Sequence, residues 1–298
     1  MHQEADQTLW TGRLDSEDVP AHFRQFQTVK FSRQADVAWL GYAIDEGVRL
    51  NKGRMGAAAG PDAIRRAFAG LPARVDVSDY GNVVHDHDTL IETQREYAEI
   101  AAGLMKDSRL TLLVGGGHDI AYAQYMAMKQ VYKKQKIGVI NIDAHFDNRE
   151  EVSPTSGTSF RYMLEEDDAL RYFVLGIQEA GNTQALFDYA AANRTSYVLA
   201  DHLEHVSEDV ERQLHEFIRA HDVILFTICM DVIDSAYAPG VSASAVFGLT
   251  PQVVARLSQI VMQSGKVPSV SIAEVNPAYD ADNRTAKLAA HLLYRIAQ

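Results

Sequence analysis

The stretch "NIDAHFDNRE" (141–150) sets Asp143, His145 and Asp147 at every second position, directly after the apolar run "KIGVINI". Side chains of extended backbone alternate between faces, so the three ionisable groups project to one side. Buried charges of like sign are unfavourable unless something positive lies between them. Carboxylates plus imidazole suit a hard or borderline divalent cation. Other apolar runs end the same way. "LLVGGGHD" puts His118 past one run, "ILFTICMD" puts Cys229 and Asp231 at the end of another, and "VSIAE" puts Glu274 at the end of a third. Gly115, Gly116 and Gly117 let the backbone turn tightly and place His118 inward. Taken alone, D-x-H-x-D can be a solvated strand end and GGGH an ordinary turn. Together, after separate buried runs, they point to one cluster. His118, Asp143, His145, Asp147 and Asp231 are too many for one tetrahedral site. They suit two adjacent divalent ions with a bridging carboxylate, sharing a hydroxide as nucleophile. Three aspartates and a hydroxide also balance the charge of two such ions.

The elements that must position these groups read as alternating strands and helices. Strands are expected at 36–43, 110–114, 137–142, 171–176, 196–200, 222–231 and 267–275, and helices at 61–69, 88–106, 120–134, 182–192, 206–220, 250–263 and 283–297. Pro61 suits a first helical turn, and Thr250-Pro251 is a cap followed by a first-turn proline. Apolar strands alternating with helices predict a three-layer α/β/α sandwich with a central, mainly parallel sheet. Ligands of such sheets bind beyond the carboxyl ends of the strands, where the polar residues above fall. The chain of 298 residues shows no linker or repeat, so 1–298 is expected to form one domain with 1–35 as an extension packed on it. The net charge of −12 argues against nucleic acid and anionic membranes as partners. No apolar stretch approaches the roughly 20 residues a spanning helix needs. A polar N-terminus and a single cysteine fit a cytoplasmic protein.

"GGGHD", "DAHFD", "CMDVIDSAYAPG" and "SIAEVNP" together resemble the ureohydrolase family of arginases, agmatinases and formimidoylglutamases, and "NKGRMGAAAGPDAIRRAF" (51–68) resembles that family's N-terminal segment. The resemblance implies an arginase-like fold, two manganese ions, homo-oligomerisation, and hydrolysis of an amidine or guanidine C–N bond by a metal-bridging hydroxide. It implies that His118, Asp143, His145, Asp147 and Asp231 are metal ligands and that Glu274 faces the cationic group of the substrate. One position departs: Cys229 stands where the family carries a bridging aspartate. Cys229 then reads either as a thiolate ligand or as an inert buried cysteine beside a weakened site, and in both cases one metal is expected to bind more loosely.

"SGTSFR" (156–161) and the opening "LWTGRLD" (9–15) resemble the formimidoylglutamase branch, with Phe160 where an arginase carries histidine. The resemblance implies that Ser156, Thr158 and Arg161 bind a small substrate carrying carboxylates. A guanidinium forks onto a carboxylate, and formimidoylglutamate carries two. The implied reaction gives glutamate and formamide, a late step of histidine breakdown, with Asp147 passing a proton to the departing amine. A guanidino-acid or agmatinase-like hydrolase shares nearly every residue, and a metal-poor binding subunit is the alternative that Cys229 favours. "VVHDHD" (83–88) has metal-like spacing but follows no long buried strand, so it reads as a solvated helix start, and His202, His205, His215 and His221 read as surface. Asn51, Arg54 and Gly56 are expected to shape the rim of the site by analogy with the family.

Overall fold

A computed structural model describes all 298 residues. Its strands are β1 (His2–Gln3), β2 (Lys30–Phe31), β3 (Val37–Ala43), β4 (Val77–Val84), β5 (Leu110–Gly115), β6 (Ile137–Ile142), β7 (Arg171–Ile177), β8 (Ser196–Leu199), β9 (Val223–Cys229) and β10 (Ser269–Ala273). They form one sheet in the order β1-β4-β3-β5-β10-β9-β6-β7-β8, with β2 paired to β4. Every pairing is parallel except β1 with β4.

The helices are α1 (Gln25–Thr28), α2 (Glu46–Leu50), α3 (Gly60–Ala69), α4 (Leu90–Asp107), α5 (Ile120–Val131), α6 (Ser159–Glu166), α7 (Gln184–Ala192), α8 (Glu208–Arg219), α9 (Pro251–Met262) and α10 (Arg284–Ala297). Alternation along each strand feeds two cores. Trp39, Leu112, Ile140, Phe226 and Ile272 pack under α3, α8, α9 and α10. Leu40, Leu113, Val139, Leu225 and Ala273 pack under α4 to α7. Parallel strands buried on both faces need apolar side chains at nearly every position, which is why their runs are readable. The fold is the α/β/α sandwich expected.

The edge of the sheet differs from expectation. The sequence pattern predicts no strand in "VSDYGNVV", yet it is β4, so the "HDHD" of "VVHDHD" does follow a largely buried strand. Asp79 hides it: a fully buried carboxylate interrupts the apolar run. Arg65 Nε lies 2.7 Å from Asp79 Oδ2, and Trp10 Nε1 donates to the same oxygen at 2.7 Å. Trp10 also packs edge-on against Trp39 and Phe68, which ties the N-terminal segment to α3 and the sheet. His221 is a second correction. It is buried against Phe217 and donates from Nδ1 to the Phe217 carbonyl at 2.7 Å, while His202, His205 and His215 are exposed.

Candidate metal centre and cleft

The sheet order places β5, β10, β9 and β6 side by side at its centre. Their carboxyl ends deliver His118, Glu274, Cys229 with Asp231, and Asp143 to Asp147 to one place. Each arrives by a local device. Gly116 passes so close to the loop after β3 that a Cβ there would lie 1.9 Å from the Ile44 carbonyl oxygen; its need is for space, and its φ is not left-handed. Gly116 and Gly117 donate to the Tyr42 and Ile44 carbonyls at 2.8 and 2.9 Å, which aims His118 over the sheet end. Strand β6 stops at Ile142, yet the alternation of facing continues through the loop. Asn182 Oδ1 accepts from Phe146 N at 3.0 Å, its Nδ2 donates to Ala144 O at 2.9 Å, and Phe146 is buried on the far side against Phe187. Strand β9 ends at Cys229, and a single tight turn over Met230–Val232 brings Asp231 in.

Two groups of donor atoms result. Those of His118, Asp143 and Cys229 lie within 4.8 Å of one another, as do those of Asp143, His145 and Asp231. Asp143 belongs to both. Ligands about 2.0–2.5 Å from an ion lie within about 5 Å of each other, so each group matches one cation. His118 Nδ1 lies 2.9 Å from Asp143 Oδ2 and 3.0 Å from Asp147 Oδ2. His145 Nδ1 lies 3.3 Å from Asp231 Oδ2.

The electrostatics point the same way. Burial and the charge of Asp231 push the Glu274 carboxyl up to about 8. Burial and the charge of Asp143 push Asp147 above the ordinary carboxylate range. Burial also opposes ionisation of Asp143, but the His118 and His145 partners outweigh it and hold that carboxyl low. Burial would lower both imidazoles, and the surrounding carboxylates raise them instead. The Cys229 thiol is pushed well up by burial and by the same acids, so only a bound cation would make it a thiolate. Asp231 Oδ1 and Glu274 Oε2 are buried without a hydrogen-bond partner. Unpartnered buried carboxylate oxygens are costly, and a divalent cation and a cationic ligand would satisfy them. The donor set therefore fits two divalent ions.

The cleft above has a volume of about 320 Å³ and is lined by His118, His145, Asp147, Cys229, Asp231 and Glu274, with Ser156. Asp147 and Glu274 hold left-handed backbone, φ 45° and 69°, a strained conformation for such residues. Two of the residues expected to bind substrate are not brought to the cleft. Thr158 is buried in its own turn, where Oγ1 accepts from Thr155 N and donates to Thr155 O. Arg161 lies on α6, ion-paired to Glu165 and Glu150 and stacked on Tyr189. Phe160 is core, stacked on Tyr172 and edge-on to His118.

Sequence reasoning missed Arg149 and Lys52, which are exposed in the lining and have no carboxylate within 4.0 Å. The signal for Arg149 was present, because it continues the every-second-position series of Asp143, His145 and Asp147. Asn51 and Arg54 also line the cleft, as expected of the rim. Arg54 donates to the Val241 and Ser242 carbonyls at 2.7 Å, and Asn276 Nδ2 donates to the Arg54 and Met55 carbonyls at 3.1 and 3.0 Å. Gly56, at φ 128°, leaves no room for a Cβ beside Asn276. These contacts join the three loops that carry the rim.

Residues 35–298 match the model of the arginase family. The chain belongs to the arginase family. Within that family, a formimidoylglutamase of Staphylococcus aureus is 58% identical over 307 aligned residues, covering 99% of this chain and 99% of the relative. Among solved structures, the formimidoylglutamase of Bacillus subtilis superposes with a TM-score of 0.79 at 24% identity, covering 90% of this chain and 88% of the other. The Trypanosoma cruzi formiminoglutamase, crystallised with Mn2+, gives a TM-score of 0.82 at 22% identity, covering 92% of this chain and 97% of the other. The family places the chain among metal-dependent hydrolases acting on C–N bonds, and no helix is long and apolar enough to cross a membrane.

Proposed function

We propose that this arginase-family hydrolase converts N-formimidoyl-L-glutamate and water to L-glutamate and formamide, in histidine degradation. The full-length identity to a formimidoylglutamase carries the reading. The cleft supports it: an acidic floor with an unpartnered Glu274 oxygen, and two cations, Arg149 and Lys52, without protein partners at the mouth. A substrate with a cationic amidine at one end and two carboxylates at the other matches that polarity. Agmatine, cationic at both ends, does not.

His118, Asp143 and Cys229 would hold one divalent ion and Asp143, His145 and Asp231 the other, with Asp147 beside His118; we take both ions as Mn2+. Such ions supply a strong nucleophile from water at neutral pH and polarise the carbon under attack. Glu274 accepts from the backbone N–H of His118 at 2.9 Å through Oε1, which leaves Oε2 to receive the amidinium N–H groups. A cationic substrate restores ionisation to that carboxyl by pairing with it. Arg149 forks onto a glutamate carboxylate and fixes the amidine over Glu274. Asp147, 3.0 Å from the His118 ring, stands where its carboxylate can take a proton from the nucleophile and pass it to the departing glutamate nitrogen. The same reading takes 1–298 as one domain with 1–35 packed on it, the protein as cytoplasmic and the assembly as a homo-oligomer; the last rests on the resemblance alone.

The test is a substrate panel after manganese loading with a reductant present. Formimidoylglutamate should release formamide while agmatine, arginine and guanidinobutyrate stay intact. Turnover of a guanidino acid in its place would keep the chemistry and overturn the substrate.

A further inference from the structure

Behind the metal centre the α5 face of the sheet is not wholly apolar. Thr227 on β9 and Ser271 on β10 are register partners, and Gln124 reaches them from α5; all three are fully buried. Buried hydroxyls and amides are unfavourable where valine or leucine would pack, unless they are hydrogen-bonded. Here they form a continuous line. His118 Nε2 lies 3.0 Å from Thr227 Oγ1, Thr227 Oγ1 lies 2.6 Å from Ser271 Oγ, and Ser271 Oγ lies 2.7 Å from Gln124 Oε1.

A hydroxyl chain can run in either direction, and its far end decides which. Gln124 Nε2 faces the Phe226 carbonyl at 3.3 Å and the Ser269 carbonyl at 3.1 Å, with Ser269 Oγ at 2.9 Å. Carbonyl oxygens only accept, so this atom must be the amide nitrogen, and the amide oxygen must face Ser271. Ser271 then gives its single proton to Gln124 and can only accept from Thr227. Thr227 gives its proton to Ser271 and can only accept from His118. The ring nitrogen Nε2 is therefore the protonated one, and Nδ1, which faces Asp143 and Asp147, is the atom left to bind a cation.

We propose that Gln124, acting through Ser271 and Thr227, sets the tautomer of His118 so that Nδ1 is presented as a metal ligand, which makes Gln124 a positioning residue remote from the cleft. The proposal rests on the reading of His118 as a ligand. Groups that orient a ligating histidine through its other nitrogen typically change metal affinity about 10–100-fold when removed.

Two measurements test it. In protein labelled with 15N-histidine, the His118 Nε2 proton should be present both without metal and with Cd2+ bound, and Nδ1 should be the nitrogen that carries the Cd2+ coupling. Gln124→Met keeps the volume and removes both polar ends. Its Mn2+ affinity should fall by about tenfold or more with the thermal midpoint kept close to that of the wild type. The double variant Gln124→Met/Thr227→Val should bind no more weakly than Thr227→Val alone, because the two act in one line. A wild-type His118 with bare Nε2, or a folded Gln124→Met that binds Mn2+ as tightly as wild type, overturns the proposal. If Gln124→Met does not fold, the wild-type spectrum decides. Failure of the wild type to bind either metal, with the Nε2 proton present, would instead strike the ligand reading and leave the relay standing.

Discussion

Asp79 and Asp143 are both fully buried carboxylates, one within β4 and the other just past β6. Asp79 is answered by the protein itself: Arg65, the Trp10 indole N–H and the Gly81 backbone N–H surround it. Asp143 is answered by two imidazoles, but those same rings also serve Asp147 and Asp231, and Glu274 adds a further acid. At the sheet edge each charge has its counter-charge in the chain. At the sheet centre the acids outnumber the bases, and buried oxygens of Asp231 and Glu274 stay unpartnered. The first arrangement fastens the N-terminal segment to the fold. The second leaves its charge to be completed by what binds, which distinguishes a site from a structural ion pair.

The comparison can be broken most sharply at Asp143. Asp143→Asn should remove Mn2+ binding at both positions and lower kcat by at least about 10³-fold, the several kcal/mol that metal assistance supplies. The thermal midpoint without metal should fall as well, since the two imidazoles that hold the Asp143 carboxyl low lose their shared partner. The matching change at the edge should cost stability and spare turnover. Asp79→Asn leaves the buried Arg65 with Asp62 as its one carboxylate partner, so stability should drop by about 1.5–3 kcal/mol in denaturant titrations, while turnover per folded molecule persists.

A smaller effect separates the two arginines. Arg161 has carboxylate partners within the chain and Arg149 has none. Arg149→Met should raise KM for the dicarboxylate substrate by roughly 10–100-fold, the 1.5–3 kcal/mol of a charge-assisted hydrogen bond, and Arg161→Met should leave it within about twofold. Equal effects from both would remove Arg149 from the anchor role.

The smallest effect concerns His221, a buried base with one nitrogen satisfied and Nε2 unpartnered. Burial lowers its pKa below the usual histidine value. The unfolded state therefore binds the proton first as pH falls, and stability is lost from about pH 6.5 downward through the lower native value. The thermal midpoint of the wild type should fall more steeply between about pH 6.5 and 5.5 than that of His221→Leu. Parallel curves would show that His221 is not held neutral.

The contrast also explains what the sequence made legible. The central strands could be read because both faces are apolar, and the metal-type residues stood out at their ends. β4 was not read because the Asp79 carboxylate is tolerated only through Arg65 and Trp10, which lie 14 and 69 residues away along the chain. Ser156 was placed in the cleft and Thr158 and Arg161 outside it by the turn into α6, whose direction depends on packing of Phe160 against Tyr172. Arg149 was in plain sight within the opening stretch, but nothing local says which arginine lacks a partner. The relay behind His118 carries no local signal, since its members come from β9, β10 and α5, meet His118 in the loop after β5, and do so only once the sheet order is set.

The most direct test of the central claim is the Mn2+ stoichiometry of the loaded, reduced protein, measured by calorimetric titration. Two ions per chain should bind with unequal affinity, and Cys229→Asp should tighten the weaker one by replacing a soft ligand with a hard one. A single ion or none at saturating Mn2+, in protein that still releases formamide from formimidoylglutamate, would contradict the two clusters joined at Asp143.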